Sequence, residues 1–340
     1  MKTKMNIIDN YITDFNHQLS IISSQQDVQL GLFEGKTGWA IYFYEMSRLI
    51  GDENLEYIAV RLVNEICIKA QSVNSMDLRN GIAGIGLGIS YLFREKFIVG
   101  DINKILSDID DKLFKELSST TLYRNTDLHS VVHMIFYIID RLERLKNNSE
   151  NEYLFKELLI YSINELYDNL KKNHLEEPLF YSLEFLLPQL LFLFSKILRL
   201  NFYNNRVMKI IGEMTYFIFS FLPRLNSHRL YLLWAIDTLN KEFYDNKDWE
   251  KYKKLLYGQI DINKIFNHEL HSYNIFFNEG YPSIYIFLLR LRRYFTNENL
   301  FQCRRLLLDK VINSQSRNDL IANNGLYNGY CGTYLTLKKF

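Results

Sequence analysis

The sequence predicts an all-α chain folded as an (α/α) toroid, with about seven helix-hairpin repeats in two concentric rings and residues 1–340 as one domain. Three observations carry that prediction. A glycine-rich turn opens an apolar run three times: Gly31-Leu-Phe-Glu-Gly35-Lys-Thr-Gly38, Asn80-Gly-Ile-Ala-Gly84-Ile-Gly86, and Asn324-Gly325-Leu-Tyr-Asn-Gly329-Tyr-Cys-Gly332. Self-similarity of this kind marks a repeat architecture. Helices apolar on every side alternate with amphipathic ones, as two layers of helix require. Finally, the starts of the apolar helices, at Gly31, Gly81, Asp127, Ser182, Ser227, Asn278 and Gly325, lie 45 to 55 residues apart. Each interval holds two helices of ordinary length and their connections.

The glycines are expected to allow a turn with positive φ and then let the helix start pack closely on its neighbour. After the turns come segments such as Ile135-Phe-Tyr-Ile-Ile and Leu190-Leu-Phe-Leu-Phe, which offer no polar face and so predict helices buried all round. Between them, Ile102, Ile105, Leu106, Ile109, Leu113 and Leu117 recur at spacings of three and four with charged residues between, an amphipathic helix with one buried stripe. Glu56 to Ala70 repeats the arrangement through Ile58, Leu62, Ile66 and Ile68. The polar run Lys146 to Glu152 reads as an exposed turn between helices. No linker divides the chain, and a closed ring needs no capping repeat because its last unit packs on its first.

Composition narrows the function. Lys+Arg 40 against Asp+Glu 39 gives a net charge of +1, so no electrostatic case exists for nucleic acid. The 3 cysteines, Cys67, Cys303 and Cys331, are scattered and form no disulfide framework or metal clip. The start has basic residues with no apolar stretch after them, unlike a secretory signal. No apolar run reaches the roughly 20 residues of a membrane span. The chain reads as soluble and cytoplasmic.

Several motifs suggest chemistry. Gly31 to Thr37 imitates a phosphate-binding loop, but Leu30 stands where the first glycine belongs, no buried strand precedes it, and Glu34 would repel phosphate. His129 and His133 are four apart on one helix face beside Asp127, a spacing that fits a metal. Ordinary buried histidines are the competing reading. His268 and His271 lie in a polar stretch and read as surface residues. Asp127 is placed to cap a helix, accepting from N–H groups two or three residues on.

Seven helix pairs with glycine turns at about fifty-residue spacing resemble the lanthionine synthetase C (LanC-like) family, specifically in the first, second and last repeats and by spacing elsewhere. The resemblance implies a zinc enzyme that adds a cysteine thiol to a dehydrated serine or threonine of a ribosomally made peptide. It implies zinc held by a cysteine in the fifth repeat and by an adjacent Cys-His before a glycine in the sixth. This chain departs from both. Asn278-Glu279-Gly280 stands at the Cys-His position, and the fifth repeat reads Asn226-Ser227-His228-Arg229 without cysteine. In the fourth repeat, Glu184 or Phe185 stands where the resemblance implies a histidine, while Asp127 in the third repeat matches the family's acidic residue. An amide and a carboxylate do not substitute for a Cys-His pair on a borderline-soft ion. The expectation is therefore a protein with no metal or other cofactor.

Glu34, Asn80, Asp127, His129, Glu184, His228, Asn278, Glu279 and Asn324 are expected to converge on one cavity mouth, the default binding site. Most can instead be helix caps. Two functions compete. One is a LanC-like protein without zinc chemistry that binds a peptide substrate or a peptide-modifying partner enzyme. The other is a zinc-independent α/α-barrel enzyme using paired carboxylates such as Asp127 and Glu279, as glycosidases do.

Overall fold

The computed structural model describes residues 2–25, 28–117, 127–145, 150–242, 247–270, 274–314 and 323–340. The helices of ten residues or more among them are α1 (Lys2–Ser23), α2 (Lys36–Ile50), α3 (Glu53–Lys69), α4 (Ile82–Arg94), α5 (Ile102–Leu117), α6 (Leu128–Leu142) and α7 (Glu150–Asn169). They continue with α8 (Leu186–Arg199), α9 (Asn204–Ser220), α10 (Asn226–Asn240), α11 (Lys247–Gly258), α12 (Tyr281–Arg290), α13 (Asn297–Asn313) and α14 (Tyr330–Lys339). Among the described residues, β pairing is limited to one bridge between Asn324 and Gly329. The even-numbered helices begin at or within about five residues of the seven predicted starts.

The two kinds of helix differ as the patterns require. In α2 every residue from Lys36 to Ser47 is buried, and α8 and α10 are buried almost as fully. Helix α5 instead buries the stripe Ile102, Leu106, Ile109, Leu113 and Leu117. In α3 the stripe runs Leu55, Ala59, Leu62 and Ile66, while Ile68 is 81 % exposed. Ile68 lies two residues, about 200° of helix rotation, beyond Ile66, so it cannot share that stripe.

Of the two purposes expected of the turn glycines, the structure supports close packing and not positive φ. Positive φ among the described glycines is confined to Gly51 and Gly100. At Gly35, Gly81, Gly280 and Gly329, which precede α2, α4, α12 and α14, the backbone is extended with φ of −125°, −99°, −142° and −169°. What the turns require is space. A Cβ on Gly35, Gly81 or Gly329 would sit under 3 Å from the backbone of the residue four before it, Gly31, Asp77 or Gly325. A Cβ on Gly38, Gly84 or Gly332 would strike the carbonyl oxygen of Leu32, Leu78 or Leu326. The same bond closes each turn: Lys36, Ile82, Tyr281 and Tyr330 donate N–H to the carbonyl seven residues earlier, on Gln29, Ser75, Asn274 and Asn323, at 2.9, 2.8, 3.0 and 2.9 Å. This register equates Gly81 with Gly35, so Asp77 holds the place of the first glycine in the second turn.

Contacts group the chain into two compact units: Met1–Asp140 with Ile275–Phe277 and Arg305–Phe340, and Arg141–Asn274 with Asn278–Arg304. In the first, the end of the chain closes on its beginning. Helix α14 packs on α2, Leu326 N–H donates to the Phe33 carbonyl (2.7 Å), and Phe33 N–H donates to the Arg79 carbonyl (3.2 Å). The turns of the last, first and second repeats are thus joined backbone to backbone. Helix α1 was not foreseen, and it supplies the second helix that the seventh repeat otherwise lacks. Its Phe15 ring meets Tyr42, Tyr330 and Tyr334 at 5.6, 6.0 and 5.3 Å. Asn16 accepts from Tyr42 Oη (2.7 Å), and ion pairs join Lys4 to Asp309 and Lys338 to Asp9. Burial of Phe15 alone contributes about 2 kcal/mol. In the second unit, α10 packs against α8, α11 and α12. The buried Asp237 carboxylate of α10 is held there by Arg293, Tyr294 and Lys253.

Candidate functional site

In the first unit the candidate residues lie on three adjacent turns. Glu34 Oε1 accepts from Arg79 Nη1 (3.3 Å) and Asn328 Nδ2 (3.2 Å), so one carboxylate spans the first, second and seventh turns. Phe33 stacks on Tyr327 at 4.3 Å and meets the His133 ring edge-on at 6.0 Å. The Asn80 side chain buries its Oδ1 without a hydrogen bond, although its own N–H is capped by Asp77. Asn324 acts through its backbone, whose carbonyl accepts from the Trp39 indole (3.1 Å). Lys36, which the phosphate-loop motif would have aimed at a nucleotide, is buried in an ion pair with Glu65 (2.6 Å).

Asp127 caps α6. Its Oδ1 accepts from Ser130 N–H (3.0 Å) and its Oδ2 from Ser130 Oγ (2.7 Å). Burial raises its pKa, but these hydrogen bonds and the nearby His129 outweigh that and hold the carboxyl below its ordinary value. Two turns of α6 carry His129 and His133, and the Nδ1 atom of each is buried without a hydrogen-bond partner. Burial first, and then His129, push His133 down to about 4, against weaker opposition from Asp77 and Asp127. His133 is therefore neutral at physiological pH. Because its pKa in the unfolded chain is about 6.5, the unfolded state takes up the proton first, and stability declines as pH falls from about 6.5 to about 4. The decline attributable to this residue is on the order of 3 kcal/mol. A His133→Phe variant is expected to show a flatter dependence of urea midpoint on pH between 7 and 4.5 than the parent, and an unchanged slope would refute the assignment.

In the second unit the residues standing at the implied ligand positions are spent on a loop. The segment 176–185 between α7 and α8 runs against the first turn of α10 and the turn before α12. Asn278, 4 % exposed, accepts through Oδ1 from Ser182 Oγ and Leu183 N–H, each at 3.2 Å, and its backbone carbonyl also accepts from Leu183 N–H (3.0 Å). His228 is fully buried. Its Nε2 accepts from Ser182 N–H (3.1 Å), so Nδ1 carries the proton and donates it to Glu177 Oε1 at 2.9 Å. Glu177 also accepts from the N–H groups of Arg224 (2.6 Å) and Leu225 (2.8 Å) at the start of α10. Burial raises Glu177, but His228 and these N–H groups more than cancel it and keep the carboxylate below its ordinary range. Glu269 holds the same helix start through Asn226 and Ser227 N–H, both at 2.7 Å, where the helix dipole favours an anion. Neither glutamate was identified from the sequence. Each lies far from the helix start it holds, Glu177 48 residues before Leu225 and Glu269 43 residues after Asn226, so no local pattern marked either.

Glu184 and Glu279 remain. Both are exposed, and they are close enough to interact. Burial, followed by the Glu184 carboxylate, pushes Glu279 above its ordinary value. The acid pair brought together in this unit is thus Glu184–Glu279, whereas Asp127, the partner proposed for Glu279 from sequence, is committed to its helix cap. Among the described residues, no group of three or more His, Cys, Asp and Glu side chains is placed to hold a metal. Cys303 and Cys331 are fully buried, and burial raises both thiols. His268 is exposed, and His271 lies outside the described residues. No described helix is long and apolar enough to cross a membrane.

The described helices form all-α hairpins, and the fold is of the α/α toroid class by its similarity to a solved structure. A solved structure of nisin cyclase matches 98 % of this chain and 94 % of its own, with a TM-score of 0.66 at 14 % sequence identity. No family model and no curated protein sequence matches the chain.

Proposed function

We propose that the chain is a single-domain LanC-like protein that binds a peptide, or the enzyme that modifies it, during maturation of a ribosomally synthesised peptide, without the family's zinc chemistry. The similarity to nisin cyclase along nearly the whole chain supports the family and the single domain. The loss of zinc rests on Asn278 and His228. An amide oxygen and an imidazole Nε2 that accept from Ser182 and Leu183 have no lone pair left for a metal in this arrangement. The donor set does not suit zinc, which prefers thiolate and imidazole with an open fourth position. What remains is a rigid polar loop beside two exposed carboxylates, a surface for recognition.

The purified protein is expected to carry far less than one equivalent of zinc by elemental analysis and to melt at the same temperature with or without added zinc, since a ligand specific for the folded state would raise the midpoint. With a synthetic peptide holding dehydroalanine and cysteine, thiol loss should proceed at the uncatalysed rate. Stoichiometric zinc or accelerated thiol loss would overturn the proposal. Zinc abolished by His129→Ala or His133→Ala would relocate the metal to α6. One observation favours a second reading, namely the raised pKa of Glu279 beside Glu184, which suits a general acid with a carboxylate partner. That reading requires hydrolysis of an aryl glycoside that Glu279→Gln eliminates.

A further inference from the structure

A cavity of about 330 Å³ lies where the turn of the seventh repeat meets the turn of the first. Its walls are amides from Gln29, Asn323, Asn324 and Asn328, the end of α1 contributes Ile22, and Glu34 is the only ionisable side chain among the described residues lining it. We propose that this seam pocket binds the side chain of an arginine presented by an extended peptide. The inference rests on the peptide-binding reading for its context; its chemistry rests on the pocket.

Size is the first argument. The volume is at the lower limit of small-molecule sites, suited to one long side chain rather than to a folded partner. Charge is the second. Glu34 is the one carboxylate among the neutral amides of this wall; Arg79 pairs with it at 3.3 Å and Asn328 donates at 3.2 Å, both longer than the roughly 2.7–2.9 Å of a strong charge-assisted pair, so a better-placed cation improves on them. A guanidinium, with five donors in a planar fork, can satisfy the carboxylate and the amide oxygens together, which a lysine ammonium does less completely. The third argument excludes sugars. Trp39 is 1 % exposed, and its indole N–H is committed to Asn324, so among the described residues the cavity offers no open aromatic face for a sugar ring to stack on. Finally, both turns are closed by backbone bonds from Lys36 to Gln29 and from Tyr330 to Asn323, so the walls are ordered before any ligand arrives.

The test uses Nα-acetyl-arginine methylamide as probe and the Trp39 indole N–H resonance as reporter, assigned among the 3 tryptophans by Trp39→Phe. The arginine probe is expected to shift that resonance saturably, with affinity at least fivefold above the neutral citrulline analogue. Glu34→Gln, which keeps an oxygen for Asn328, should abolish the preference. Should Glu34→Gln fail to fold, Val28→Trp, which fills the pocket from its wall, should block the shift. Equal binding of arginine and citrulline, the absence of any shift, or a shift that survives both substitutions would overturn the proposal. Precursor-peptide binding with a silent arginine probe would sink the pocket assignment and leave the proposed function standing. Probe binding without any peptide binding would do the reverse.

Discussion

Replacing Gly332 by alanine is expected to destabilise the protein by about 3 kcal/mol, the upper end of the range for overpacking a well-filled site. The new Cβ would meet the carbonyl oxygen and carbon of Leu326, and backbone in a turn closed at both ends cannot withdraw as a flexible side chain would. Gly84→Ala, facing the Leu78 carbonyl, should behave alike. The control is Gly212→Ala. Gly212 is exposed within α9, with nothing within 4 Å of a built Cβ. There alanine should stabilise by about 0.5–1 kcal/mol through helix propensity. At about 2.1 cal/mol/K per residue, a loss of about 3 kcal/mol lowers the melting midpoint by roughly 4 °C, while the control rises by about 1 °C. Scanning calorimetry reads both. If Gly332→Ala proved as harmless as Gly212→Ala, close backbone approach would not explain the repeat's glycines.

The second large effect is expected at Glu177. Glu177→Ala removes the acceptor for the fully buried His228 Nδ1–H and for two N–H groups at the start of α10. A buried donor left unsatisfied costs about 1–3 kcal/mol, so a loss of about 3 kcal/mol in urea unfolding is expected, with Glu177→Gln intermediate because it keeps one acceptor oxygen. The pH dependence distinguishes a charge from mere packing. The folded pKa of Glu177 is depressed, so its contribution is complete above the ordinary value of 4.5 and is lost as pH falls through the folded value. The parent should therefore lose more stability than Glu177→Gln on acidification from pH 5 to pH 3. Parallel losses would show that the carboxylate's charge plays no part.

These two sites also separate what was readable in the chain from what was not. The period of apolar residues is local, and it places every even-numbered helix from the residues it contains. The same holds for Asp127, because an N-cap bonds only three residues away. That Asn278 and Glu279 are neither cysteine nor histidine is equally legible without the fold. The stripe read from the sequence through Ile66 wrongly includes Ile68, although helix geometry alone excludes it.

The remaining properties depend on residues that meet only after folding. Glycine identity is compatible with either positive φ or lack of room, and only the positions of Gly31, Leu326 and their neighbours show that room decides. Helix α1 has an ordinary amphipathic sequence, and its place beside α2 and α14 follows from closure of the chain's two ends in one unit. The fates of Asn278 and His228 were likewise undecidable from sequence, because a polar side chain's role is set by whichever donor reaches it first, here a loop from another repeat. The sequence by itself determined the helices and their order. The tertiary structure decided what the substituted polar atoms hold instead, because hydrogen bonding and close packing depend on ångström-scale distances between segments that the local pattern does not specify.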